Sequence, residues 1–145
     1  MTYVPAPRNF GMSNAVALGR QARGRMSYLA GLAAEDRVAE DYRARGYVLL
    51  EMRWRGRRGE IDLIFADGDG VVMVEVKKSS SFEAAMSHIT PAQVTRLFAT
   101  AEEYVGTRPL GSLTDIRFDV ALLDQHGQVS VLENAFCGWI RSART

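Results

Sequence analysis

The sequence predicts an α/β domain built on a β-sheet of about five strands flanked by helices. Three observations carry that expectation. Residues 59–66 and 71–77 are runs rich in Val, Ile, Leu and Phe, joined by the turn formers Asp67-Gly68-Asp69-Gly70. Residues 28–45 repeat apolar side chains at three- and four-residue steps and stop at Gly46. Thr90-Pro91-Ala92-Gln93 combines an N-cap, a first-turn proline and a capping-box glutamine, opening a helix that runs to about Val105.

The chain has 145 residues, which suits one domain. Its single cysteine, Cys137, excludes an intrachain disulfide and a thiolate metal cluster, and fits a reducing cytoplasm. No apolar run approaches the roughly 18 residues of a membrane span, and the N-terminus lacks the apolar core of a secretory signal. No membrane partner is expected. The net charge of +1 conceals an asymmetry: residues 1–58 hold 11 Arg against 5 acids, and residues 59–145 hold 7 basic against 12 acidic residues. A basic half beside an acidic half points to a polyanion partner and a cation site. Because 16 of the 18 basic residues are Arg, each Arg is weak evidence by itself; Lys77, one of two lysines, says more.

In chain order, residues 1–27 carry four Arg and no acid among Pro and Gly, and read as a flexible basic arm with a short helical piece around 14–23. A nucleic-acid arm, a transit peptide and a plain tail all fit it. A single domain over 28–145 follows. In the first helix Tyr28, Leu32, Val38, Ala39 and Tyr42 form the apolar stripe, and Glu35 lies on that stripe. Glu35 is either a boundary carboxylate paired with an Arg or a carboxylate delivered to the hairpin. Residues 47–54 read as a strand and 55–59 as its turn; Arg53, Arg55, Arg57 and Arg58 could grip phosphates there or form a solvated turn. In the helix from Thr90, Val94, Leu97, Phe98, Ala101 and Tyr104 face inward, while Gln93 serves the cap, the site, or both. Residues 108–114 form a loop, and 116–123 and 128–136 are further strands joined by Asp124-Gln125-His126-Gly127. Arg117 and Asp119 share one strand face as an ion pair. His88 and His126 lack ligand spacing, and no phosphate loop, zinc pattern or repeat occurs.

The central hairpin holds the chemistry. A loop of four residues pairs Ala66 with Val71, which sets Asp62 opposite Glu75 and Glu60 opposite Lys77. Glu75 and Lys77 share that face, and Val72, Val74, Val76, Ile61, Leu63 and Phe65 fill the other. Opposed carboxylates destabilise a sheet unless a partner resolves the conflict. A hard divalent cation, Mg²⁺ or Mn²⁺, does so; a shifted register or a solvated edge does so without one.

Asp62, followed after twelve residues by Glu75-Val76-Lys77, resembles the PD-(D/E)xK nuclease core of the restriction-endonuclease-like fold. Together with Gly31-Leu32-Ala33-Ala34-Glu35, Gly46-Tyr47, Gly59-Glu60-Ile61-Asp62 and Arg117-Phe118-Asp119-Val120, the chain is similar to the YraN-type family of uncharacterised bacterial proteins, described as endonucleases by similarity. The resemblance spans roughly residues 28–125. Many members carry Arg where this chain has Ser79 and Lys where it has Gln93; that glutamine is similar to one in RecB-like nucleases, whose tyrosine would fall at Leu97. The resemblance implies a restriction-endonuclease-like core with a mixed sheet, acting as a metal-dependent nuclease on DNA ahead of RNA. Asp62, Glu75, the Val76 carbonyl and Glu35 would hold Mg²⁺ or Mn²⁺, with Lys77 and Gln93 completing the catalytic set and the 53–58 arginines on the nucleic-acid backbone. A homodimer would suit two-fold symmetric substrates. A non-catalytic nucleic-acid-binding module and an interaction protein with simple ion pairs are the competing classes.

Overall fold

Strands β1 (Val48–Arg55), β2 (Glu60–Asp67), β3 (Gly70–Lys78), β4 (Ile116–Leu123) and β5 (Val129–Leu132) form one mixed sheet in the order β1-β2-β3-β4-β5. This computed structural model describes residues 33–137; the expected N-terminal arm, Tyr28 and Leu32 lie outside the described residues. The β2–β3 hairpin has the expected register, Ala66 against Val71 and Leu63 against Val74. It closes one pair further, at Asp67–Gly70, so two residues rather than four make the turn. Gly68 takes φ +58°, the positive φ that a two-residue hairpin turn requires at its first central position. β1 adds antiparallel to β2 through a bulge between Leu49 and Glu51.

β3 and β4 run parallel, from Val71–Ile116 to Lys78–Leu123. A parallel pair needs a long crossover, and the helices supply it: α2 (Phe82–Ser87), capped by the Ser81 hydroxyl, and α3 (Pro91–Val105). In α3 the capping box forms as expected. The Thr90 hydroxyl accepts from the Gln93 N–H at 3.2 Å, and Gln93 Oε1 accepts from the Thr90 N–H at 2.9 Å. Helix α1, residues 33–44 of the described chain, precedes β1.

The sheet buries both faces. Ile64, Met73, Phe118, Val120 and Leu122 pack with Val94, Ala101 and Tyr104 of α3. Leu63, Phe65, Val72, Val74 and Ala121 pack with Val38, Ala39 and Tyr42 of α1, where the Tyr42 ring stacks on Phe65 at 4.5 Å. Ile61 departs from the expected alternation: it joins the α3 side, not the face of Leu63 and Phe65.

Beneath α1 lies a buried polar network. Asp119 is 0% exposed, and Arg117 grips both its oxygens at 2.9 Å. The Tyr42 hydroxyl donates to Asp119 Oδ2 at 2.7 Å, and the Asn134 N–H donates to Oδ1 at 3.1 Å. Arg117 Nη2 also donates to the Tyr47 hydroxyl at 3.0 Å. Burial, then the bond to Asp119, pushes the Tyr42 phenol up, and the bond to Asp119 raises Arg117 further. The last strand is shorter than the expected 128–136. Asn134 takes φ +54°, turning the chain so that its N–H reaches Asp119 and the Ala135 N–H reaches the Phe118 carbonyl.

Candidate active site

The site lies where β2 and β3 part. Beyond Leu63–Val74 their ladder stops, while β2 continues beside β1 through Trp54–Ile61 and Arg55–Glu60. In the hairpin register Val76 would exchange both backbone bonds with Ile61. Its N–H donates instead to Asp62 Oδ2 at 2.8 Å. A strand residue's N–H and C=O point to the same edge, so the Val76 carbonyl faces the same gap. Ile61 instead pairs with Trp54 of β1, and the two pack in the same cluster on the α3 side. The parting also means that neither of the expected opposed pairs, Asp62–Glu75 and Glu60–Lys77, forms in the ladder.

Glu75 and Lys77 leave β3 on the α3 side, with Lys77 Nζ 3.3 Å from Glu75 Oε1. Burial, reinforced by Asp62, pushes the Glu75 carboxyl up to about 8 against the pull of Lys77. Burial also raises Asp62, and the bond from Val76 pulls it back. Glu35 on α1 is 12% exposed. Burial, then Asp62, pushes it up to about 7, and its buried Oε2 has no hydrogen-bond partner. Asp62 thus disfavours the charge of both Glu35 and Glu75, which marks this gap as a candidate functional site.

Arg53 reaches this group through an unusual backbone. Its φ is +52°, and its Nε lies 3.2 Å from Glu60 Oε1 and 3.9 Å from Glu35 Oε2. A non-glycine residue in this region is strained, and such strain persists where the surroundings over-determine it. Arg55 Nη2 lies 3.2 Å from Glu60 Oε2. Of the four arginines expected on nucleic acid, Arg53 and Arg55 are therefore engaged by Glu60, while Arg57 and Arg58 are exposed.

A cleft of about 150 Å³ opens beside the gap, lined by Glu60, Glu75, Lys77, Gln93, Arg96 and Thr100 among others. Gln93 serves both roles that its sequence position allows: its oxygen completes the helix cap, and the residue lines the cleft. Sequence reasoning overlooked Arg96. Gln93, Arg96, Leu97 and Thr100 fall at i, i+3, i+4 and i+7, and that spacing could have placed it beside Gln93.

The donors fit a hard cation by chemistry: oxygens only, mutually repelling carboxyls and an orphaned buried oxygen. Among the described residues no three His, Cys, Asp or Glu side chains converge as a ready-made cage. Protein cations hold the acids here, Lys77 on Glu75 and Arg53 near Glu35.

The raised carboxyls set a pH dependence. Glu75 and Glu35 bind protons more tightly folded than unfolded, so their contribution to stability is complete below their ordinary 4.5 and lost as pH rises through about 7 and about 8. The melting temperature of the metal-free protein is expected to fall between about pH 5 and about pH 8, with Glu75→Gln flattening the fall. A flat or rising profile for the wild type would contradict this assignment.

Comparison with known proteins places the site inside a shared region. A family model described as "Uncharacterised protein family UPF0102" matches residues 34–123, which hold Glu35, Asp62, Glu75, Lys77 and Gln93. A protein of Roseobacter denitrificans is 56% identical over 112 residues, 77% of this chain and 87% of the relative. One of Ruegeria pomeroyi is 51% identical over 115 residues, 79% of this chain and 94% of the relative. One of Cereibacter sphaeroides is 45% identical over 113 residues, 78% and 97% respectively. All three are named only as UPF0102 proteins.

Proposed function

The chain belongs to the UPF0102 family, the YraN-type family that its motifs resemble, and we propose that it is a metal-dependent nuclease hydrolysing phosphodiester bonds, in DNA ahead of RNA. The observation that carries this reading is the break in the β2–β3 ladder, where Asp62 takes the Val76 N–H beside the Glu75–Lys77 pair, and where burial and Asp62 push both Glu75 and Glu35 up. Asp62, Glu75 and the Val76 carbonyl, with Glu35 through its orphaned Oε2, would hold Mg²⁺ or Mn²⁺. When bound, the ion supplies a Lewis acid for a phosphate oxygen and lowers the pKa of water. Lys77 donates to the attacking water and offsets the phosphate charge. Gln93 borders the space for the reacting group. Arg57 and Arg58 contact the nucleic-acid backbone, which positions the strand without reading its bases. No helix among the described residues is long and apolar enough to cross a membrane.

A second reading keeps the fold as a non-catalytic nucleic-acid-binding module. It draws on the protein cations that already sit against the acids and on the lack of a converged cage. Thermal melting with Mn²⁺, run beside oligonucleotide binding in EDTA, separates the readings. The nuclease reading expects Mn²⁺ at a hundredfold excess over Kd to stabilise the wild type by about 2.7 kcal/mol, and Asp62→Asn to lose that effect. No stabilisation by Mn²⁺, with oligonucleotide binding that persists in EDTA, would favour the module. Neither response would leave an interaction protein whose hairpin acids form simple ion pairs.

A further inference from the structure

The cleft contains a cation that the proposed chemistry leaves unused. Its other charged residues are engaged: Lys77 with Glu75, and Glu60 with Arg53 and Arg55. Arg96 lines the same cleft from α3, is exposed, and forms no ion pair among the described residues. Gln93 stands one turn before it on the same helix face, with its oxygen committed to the cap. The 56–59 turn reaches the same cleft through Gly59. It closes through the Gly56 N–H on the Gly59 carbonyl at 2.8 Å, and Glu103 Oε2 of α3 accepts the Arg57 N–H at 2.9 Å. Gly59 lines the cleft and lies close to α3, since a Cβ there would come within 3.2 Å of the Thr100 hydroxyl. The turn bearing exposed Arg57 and Arg58 is thus fastened to the helix that bears Arg96.

We infer that Arg96 is a positioning residue that anchors the phosphodiester next to the one being cut, on a nucleic-acid strand laid over the cleft that Arg96 shares with Glu75 and Lys77. The inference rests on the nuclease reading above. Its basis is charge and place. Of the basic residues lining the cleft, Lys77 is occupied by Glu75 and Arg96 is not, and a guanidinium suits a bidentate grip on a phosphate.

The test uses the full chain and a fluorescein-labelled single-stranded DNA, with binding followed by anisotropy in EDTA over a range of KCl. Arg96→Ala should weaken binding about tenfold and flatten the salt dependence by roughly 0.7 of a log unit per log unit of salt, the release from one phosphate contact. Arg96→Lys should keep the salt slope, and both variants should melt with the wild type. In Mn²⁺, the KM of Arg96→Ala for cleavage should rise by more than kcat falls. Wild-type affinity and slope in Arg96→Ala, in a protein that cleaves, would overturn the inference and leave the nuclease reading standing. So would a lowered melting temperature in Arg96→Ala that accounts for the lost binding. A wild type that neither binds nor cleaves would overturn both.

Discussion

Glu75→Ala is expected to abolish metal-dependent cleavage while the protein melts at the wild-type temperature or above it. Glu75 is held where burial and Asp62 disfavour its charge, so its removal takes away a proposed metal ligand and also relieves a repulsion. A residue kept for packing or for a stabilising ion pair would behave oppositely. Lys77→Ala should slow cleavage by about 10²–10³-fold, the usual loss when one charge-stabilising donor is removed. It should also leave the fold intact, because a Glu75 without its ammonium can take up a proton. Rates measured beside thermal melts check both variants. Unfolding of either at room temperature would count against the site.

Asp119→Ala is expected to do the reverse: to cost about 3–5 kcal/mol of folding stability, the usual loss when one partner of a buried ion pair is removed. Asp119 accepts from Arg117 Nε and Nη2, the Tyr42 hydroxyl and the Asn134 N–H, so its loss strands four donors. Against a total of about 5–15 kcal/mol for a domain, that is a large fraction. Asp119→Asn keeps one acceptor oxygen and should lie between. Urea denaturation measures both, and a loss below about 1 kcal/mol for Asp119→Ala would contradict the network's role. The contrast between Glu75 and Asp119 matters more than either value, since it separates a carboxylate that costs stability from one that supplies it.

What the sequence made legible was local. The hairpin register followed from the period of two and from turn formers at 67–70, and the α3 start followed from Thr90, Pro91 and Gln93. Those signals need only neighbouring residues. Long-range events escaped. The ladder break at Asp62 depends on β2 following β1 while β3 follows β4, and the face of Ile61 depends on Trp54 of β1, with which it pairs. The pairing of Arg117 with Asp119 was readable, but its burial was not, because Tyr42 arrives from 77 residues away. The strand expected over 128–136 stopped at Leu132 because Asn134 turns back to the same aspartate. For the candidate site, the hairpin does bring Asp62 and Lys77 beside Glu75, although the register that suggests it stops at Leu63–Val74. The engagement of Arg53 and Arg55 by Glu60, and the placing of Arg96, required the sheet and α3 to be in place.

The most direct test of the central claim is cleavage of a labelled panel of single strands, flaps, four-way junctions, duplex DNA and structured RNA in Mg²⁺ and Mn²⁺, by wild type and Glu75→Ala side by side. The nuclease assignment predicts products from the wild type alone, lost in EDTA, and the panel then names the substrate class. No product from the wild type on any substrate in either metal would contradict it. So would equal products from both proteins, which a contaminating nuclease explains.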